Sequence, residues 1–177
     1  GWQRAVGMRQ FQPAEGYPRR EGAGAVLKGT IMDEKDEVNW ALMLRVAPEG
    51  KSVCLAYELT PDRDAQIAEA PVFLNLPLAT WSGRTVVLLP SAMGQFPAEK
   101  PSSRHFLTGM ARRAVFDVEG RPLGIRFGAL TQCTVQDAGT GDGRHYQIYP
   151  RIARGPLVRA GQTQRLEMVL TPDDPNP

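Results

Sequence analysis

Apolar and polar residues alternate along much of this chain with a period of two, the period that places successive side chains on opposite faces of a β-strand. The pattern is clearest over residues 37–46, where Val38, Trp40, Leu42, Leu44 and Val46 share one face and Asn39, Ala41, Met43 and Arg45 the other. The stretch 52–83 repeats it. Val53, Leu55, Tyr57 and Leu59 form an apolar face, Thr60, Pro61 and Asp62 interrupt it, and residues 63–70 continue as extended chain. Val72, Leu74, Leu76 and Leu78 then form a second apolar face before Trp81, Ser82 and Gly83 turn the chain. This stretch reads as a two-stranded module of an antiparallel sheet with both apolar faces in the core, Trp40 and Tyr57 included.

Further strands are expected over residues 25–33, 85–89, 104–107, 114–118, 124–127, 130–136, 145–151 and 165–171. Turns are expected at 33–36, 48–50, 119–122 and 159–162, and a Gly/Asp loop at 137–143. Residues 91–103 read as the longest interior loop. With no helical period anywhere, the pattern predicts an all-β fold, an antiparallel β-sandwich (jelly-roll-like) of about ten short strands. Residues 25–172 would form that domain and 173–177 a tail or linker. Residues 1–24 are broken by Pro13, Gly16, Pro18, Gly22 and Gly24, but carry Trp2, Phe11 and Tyr17, which favours an arm lying along the sandwich.

Composition narrows the function classes. A chain of 177 residues with 42% hydrophobic and 23% charged residues can bury a core without metals or disulfides. Its 18 glycines and 15 prolines suit many turns. The 21 basic and 19 acidic residues are interspersed, which argues against a nucleic-acid partner. No run approaches the roughly 20 apolar residues of a membrane-spanning helix. The first residues lack the charged-then-apolar layout of a signal peptide. Cys54 and Cys133 each lie in a strand-like run, as two small thiols or, if those strands are neighbours, as a bridged pair.

No catalytic signature stands out. His105 and His145 have no metal-ligand spacing around them, and there is no serine-nucleophile elbow or phosphate-binding glycine loop. The carboxylates Glu58, Asp62, Asp64, Glu69, Asp117 and Glu119 mostly punctuate turns, although a pair of them at suitable separation would suffice for a stand-alone glycan hydrolase or lyase. Asp137 and Asp142 flank Gly139 and Gly141, a loop that could hold a structural calcium ion through oxygen ligands or be a plain hairpin tip. No other cofactor is expected. Aromatic and polar residues suggest saccharide contact, since a sugar ring stacks on a flat side chain while its hydroxyls pair with polar groups. Trp81, at a turn, is either a cover over the core or an exposed platform. His145, Gln147, Tyr149 and Arg151 share a strand face opposite Tyr146 and Ile148. That face is either a ligand surface or a solvated sheet exterior.

Residues 55–88 (LAYELTPDRDAQIAEAPVFLNLPLATWSGRTVVL) and 156–172 (PLVRAGQTQRLEMVLTP) resemble the β-sandwich accessory domains of large bacterial glycoside hydrolases and related polysaccharide-degrading enzymes. Residues 114–128 (AVFDVEGRPLGIRFG) and the run to Pro150 match less closely. The resemblance implies a non-catalytic, carbohydrate-binding or accessory module that packs on or helps present a catalytic domain of its parent enzyme. Its partners would be that domain and a poly- or oligosaccharide, in an extracellular or periplasmic setting. A purely structural interdomain role is the reading in which every aromatic residue proves buried.

Overall fold

A computed structural model describes residues 11–33, 37–99, 101, 103–118, 121–138 and 145–174. Among them are thirteen strands and one helical turn. The strands are β1 (Phe11–Pro13), β2 (Arg19–Glu21), β3 (Gly24–Asp33), β4 (Val38–Glu49), β5 (Ser52–Pro61), β6 (Ala65–Pro71) and β7 (Leu74–Pro77). After the turn α1 (Leu78–Trp81) come β8 (Thr85–Pro90), β9 (Ala92–Gln95), β10 (His105–Val118), β11 (Arg121–Asp137), β12 (His145–Val158) and β13 (Gln164–Thr171). All the registered pairings are antiparallel, and the protein is an all-β antiparallel sandwich.

The chain divides into two compact units. One holds residues up to Ala70 together with Ile152–Glu167, the other Pro71–Arg151 with the residues from Met168 onward. In the first unit the strand order is β1, β3, β4, β5, β13, with β2 also beside β3 and β6 beside β12. Its core face is the one the alternation of β4 predicts: Val38, Trp40, Leu42 and Leu59 are buried with Ala65, Ala153 and Val158, and Ile31, Tyr57 and Ile152 pack against them. Residues 11–24 belong to this unit, since both β1 and β2 pair with β3.

In the second unit the order is β13, β11, β10, β8, β9, with β12 beside β11 and β7 beside β12. Its core is aromatic. Phe96 lies 4.8 Å from Tyr146 and 5.8 Å from Phe106, and Trp81 stands edge-on to Phe96 and Phe116, both at 5.9 Å. Leu88, Ile125, Val135, Ile148 and Met168 complete the buried set.

Four expectations are corrected. Residues 52–83 are not a two-stranded module: they hold β5, β6 and β7, of which β5 pairs with β4 along its whole length, whereas β6 and β7 both pair with β12. Alternation tells which face of a strand is buried and leaves its neighbour open. Val53, expected in the core, is 42% exposed, because it sits opposite Pro48 beside the turn at Gly50, where the strand end runs out of cover. Residues 91–103 are not all loop, since β9 pairs with β8. The strands are more numerous than ten and several are long. Residues 104–107 and 114–118 are one strand, β10, and 124–127 and 130–136 are one strand, β11. A register shift between Ala111 and Arg113 lets β10 stay paired with β11 past the polar and glycine residues that seemed to end each piece.

Candidate functional site

The second unit carries a polar sheet face built from β7, β12, β11 and β10. Strand alternation sends Tyr146 and Ile148 inward, where both are buried and the Tyr146 hydroxyl donates to the carbonyl of Pro97. Gln147, Tyr149 and Arg151 therefore share the opposite face with His145, as the sequence predicts. Cross-strand register sets Asn75 beside Gln147, Gln147 beside Gln136, and Gln136 beside His105. The amides run in one direction across three strands: Gln136 Nε2 donates to Gln147 Oε1 at 2.6 Å, and Gln147 Nε2 donates to Asn75 Oδ1 at 2.9 Å. One row further along, Thr108 Oγ1 donates to Thr134 Oγ1 at 3.2 Å.

Tyr149 sits opposite Thr134 and is enclosed by its neighbours. Its ring centroid is 5.3 Å from that of Phe73 and 6.0 Å from that of His105. Its hydroxyl lies 3.1 Å from His105 Nε2, and the Arg151 guanidinium lies 6.0 Å from its ring. At 3% exposure Tyr149 supports the face and offers no ring for stacking. Phe73 is the aromatic of this face that meets solvent, at 46%. The exposed end of the amide row is Asn75, whose Nδ2 makes no hydrogen bond within the described residues. Hydrogen bonding to hydroxyls and stacking on Phe73 are what such a face can do.

Trp81 is not a platform. It is 6% exposed and wedged against Phe96 and Phe116, so of the two readings for it the cover over the core is the one realised. His145 lies at the start of β12 opposite Pro77, outside the amide row. Asp137 is buried at the end of β11, its N–H donating to the carbonyl of Arg104, and Asp142 lies outside the described residues. Among the described residues no group of three or more His, Cys, Asp or Glu side chains is arranged to hold a metal ion.

The turn carboxylates have structural partners. Asp64 accepts from the Ala160 N–H at 2.9 Å and from Arg159 Nη1 at 2.7 Å, Asp62 accepts from the Asn39 side chain and N–H, and Glu58 pairs with Arg165. The hydrogen bond from the Ala160 amide, then that from Arg159, holds Asp64 below the usual carboxylate range, and Asn39 does the same for Asp62. A glycosidase's general acid needs the opposite shift. Asp117 is exposed, and the side chains of Glu69 and Glu119 lie outside the described residues. Cys54 and Cys133 form no disulfide.

No protein-family model matches the sequence, and no curated protein matches it. Solved structures do. A crystal structure of the GH36 alpha-galactosidase AgaA from Geobacillus stearothermophilus, in complex with raffinose, matches with a TM-score of 0.55 at 12% identity, over 92% of this chain. The GH36 alpha-galactosidase AgaB of the same organism matches with a TM-score of 0.56 at 11% identity, again over 92%. The likeness is one of fold. The chain spans 26% of the length of each of these galactosidases.

Set on that fold, the polar face brings together Gln147, Tyr149 and Arg151 as the sequence suggests, and adds Phe73, Asn75, Gln136 and His105 from three other places in the chain. Phe73 and Asn75 did carry a signal, since they alternate with Val72, Leu74 and Leu76 and so share the opposite face. Gln136 and His105 carried none, because only the register of β10, β11 and β12 sets them in line.

Proposed function

We propose that this chain is a non-catalytic accessory β-sandwich module of a glycan-active enzyme, meeting saccharide at the polar face of its second unit. The observation that carries the reading is that nearly the whole fold recurs as about a quarter of the length of GH36 alpha-galactosidases. A fold used as one part of a larger glycan-active chain is what an accessory module is. Phe73 supplies the exposed ring, and Asn75, Gln147 and His105 supply the hydroxyl partners. The test is affinity electrophoresis and calorimetry of the purified chain against a polysaccharide panel that includes α-galactosides. Phe73→Ala lowers affinity roughly tenfold for any glycan bound at this face. Release of new reducing ends by the chain alone would overturn the non-catalytic reading.

A second reading, a purely structural interdomain module, is favoured by the burial of Trp81 and Tyr149. It requires that no glycan in the panel binds and that Phe73→Ala changes nothing but stability.

A further inference from the structure

The first unit carries a shallow, open groove on the face of β3, β4 and β5 opposite its apolar core. Register sets Lys28, Met43 and Glu58 in one row across these strands and Thr30, Ala41 and Thr60 in the next. Together with Ala14 at the rim they line a groove of about 330 Å³. That is at the lower end of small-molecule sites, roughly 300–1,000 Å³. The groove exists because its floor is Ala41 and because the N-terminal segment can approach closely. A Cβ on Gly29 would lie 2.3 Å from the Gln12 carbonyl oxygen and 2.5 Å from the Phe11 ring, so only glycine lets β1 lie there. The Ala14 N–H then donates to the carbonyl of Lys28, fixing the rim.

The charges on this face do not cancel. Arg19 is paired with Glu21 at 2.7 Å and Arg165 with Glu58 at 3.1 Å. Lys28 and Arg45, on the same face, have no carboxylate within ion-pair distance among the described residues. Lys28 is held instead against the Tyr17 ring, its ammonium 5.4 Å from the centroid, with the Arg19 guanidinium 5.0 Å from the same centroid. Arg45 donates to the sulfur of Met43 at 3.7 Å, which keeps it beside the groove. Lys28, Arg45 and Arg19 all act on Glu21, whose carboxyl is held below the usual range first by its hydrogen bond from Arg19. Neither Lys28 nor Arg45 is in a salt bridge among the described residues, so a ligand's anion can meet both.

We propose that this groove binds an acidic saccharide, a uronate unit whose carboxylate meets Lys28 and Arg45 while its ring lies on Ala41 and Met43. The hydroxyls of Thr30 and of Thr60, the latter 2.8 Å from Thr163 Oγ1, and the carboxylate of Glu58 pair with sugar hydroxyls. The inference rests on the carbohydrate-associated reading above and adds to it a second surface and the charge class of its ligand.

Calorimetry of the whole chain with a short oligogalacturonate, a neutral galacto-oligosaccharide of equal length and poly-glutamate tests it. The uronate binds, the neutral sugar binds this groove at least tenfold more weakly, and added salt weakens the uronate. Lys28→Ala costs about tenfold and Lys28→Glu removes binding. Ala41→Trp fills the floor and blocks it, with circular dichroism confirming that each variant is folded. No uronate binding, equal binding by Lys28→Glu, or equal binding of poly-glutamate would overturn the proposal. Retained binding of neutral glycans that Phe73→Ala weakens, with no uronate binding, would sink the groove and leave the accessory reading standing.

Discussion

Trp81 and Phe73 lie eight positions apart in the sequence and have opposite roles. Trp81 is locked edge-on between Phe96 and Phe116, so Trp81→Ala opens a cavity and costs about 3–5 kcal/mol, read as a lowered denaturation midpoint. Phe73 is half in solvent, and its truncation changes binding more than stability. Gln147 holds two bonds of the amide row, and its loss strands the buried Gln136 amide. Gln147→Ala therefore costs about 1–3 kcal/mol, measurable in the same denaturation series. Cys133 shows what burial does to a thiol. Surrounded by apolar chain, it is pushed up to about 12, far from forming the nucleophilic thiolate at neutral pH. A disulfide-exchange reagent is expected to titrate the half-buried Cys54 in the native protein and both thiols only after denaturation.

At the scale of elements, partner choice matters more than strand identity. The alternation over residues 37–46 names the buried face of β4 correctly, because the period of two is a local property of extended chain. The neighbours of β5, β6 and β7 were not legible, because pairing is settled by which other strands are available across long sequence separations. Gly29 is an element-scale switch. Gly29→Ala forces β1 away from β3 while leaving β3 paired with β4, so amide exchange speeds up at Phe11, Gln12 and Ala14 and not along β4. Turn carboxylates act at this scale too. Asp64 in the folded chain lies below its ordinary value of 3.8, so the stabilisation from its bonds to Ala160 and Arg159 is present above that value and lost as the pH falls through the lowered one. Thermal melts along the acid limb are expected to show a shallower decline for Asp64→Asn than for the wild type, from a lower plateau.

For the molecule as a whole, each unit is discontinuous in sequence. The first needs Ala153, Val158 and Leu166 from the later strands to close a core begun by Val38, Trp40 and Leu42. Residues 1–70 expressed alone are expected to show no cooperative unfolding transition by circular dichroism, whereas the full chain shows one or more. The candidate face is discontinuous as well, drawing Phe73 and Asn75, His105, Gln136 and Gln147 from four separate segments.

The order of residues was enough to determine an all-β antiparallel protein, the buried side of β4, the inward placement of Tyr146 and Ile148, and the shared face of Gln147, Tyr149 and Arg151. Each of these follows from a period of two and from turn residues, which act over a few positions. Only the tertiary structure decided that Trp81 is scaffold, that Tyr149 is enclosed, that Phe73 is the exposed ring, and that Lys28 and Arg45 form no salt bridge among the described residues. Those outcomes depend on side chains distant in sequence, whose meeting is set by strand register and close packing rather than by any local pattern.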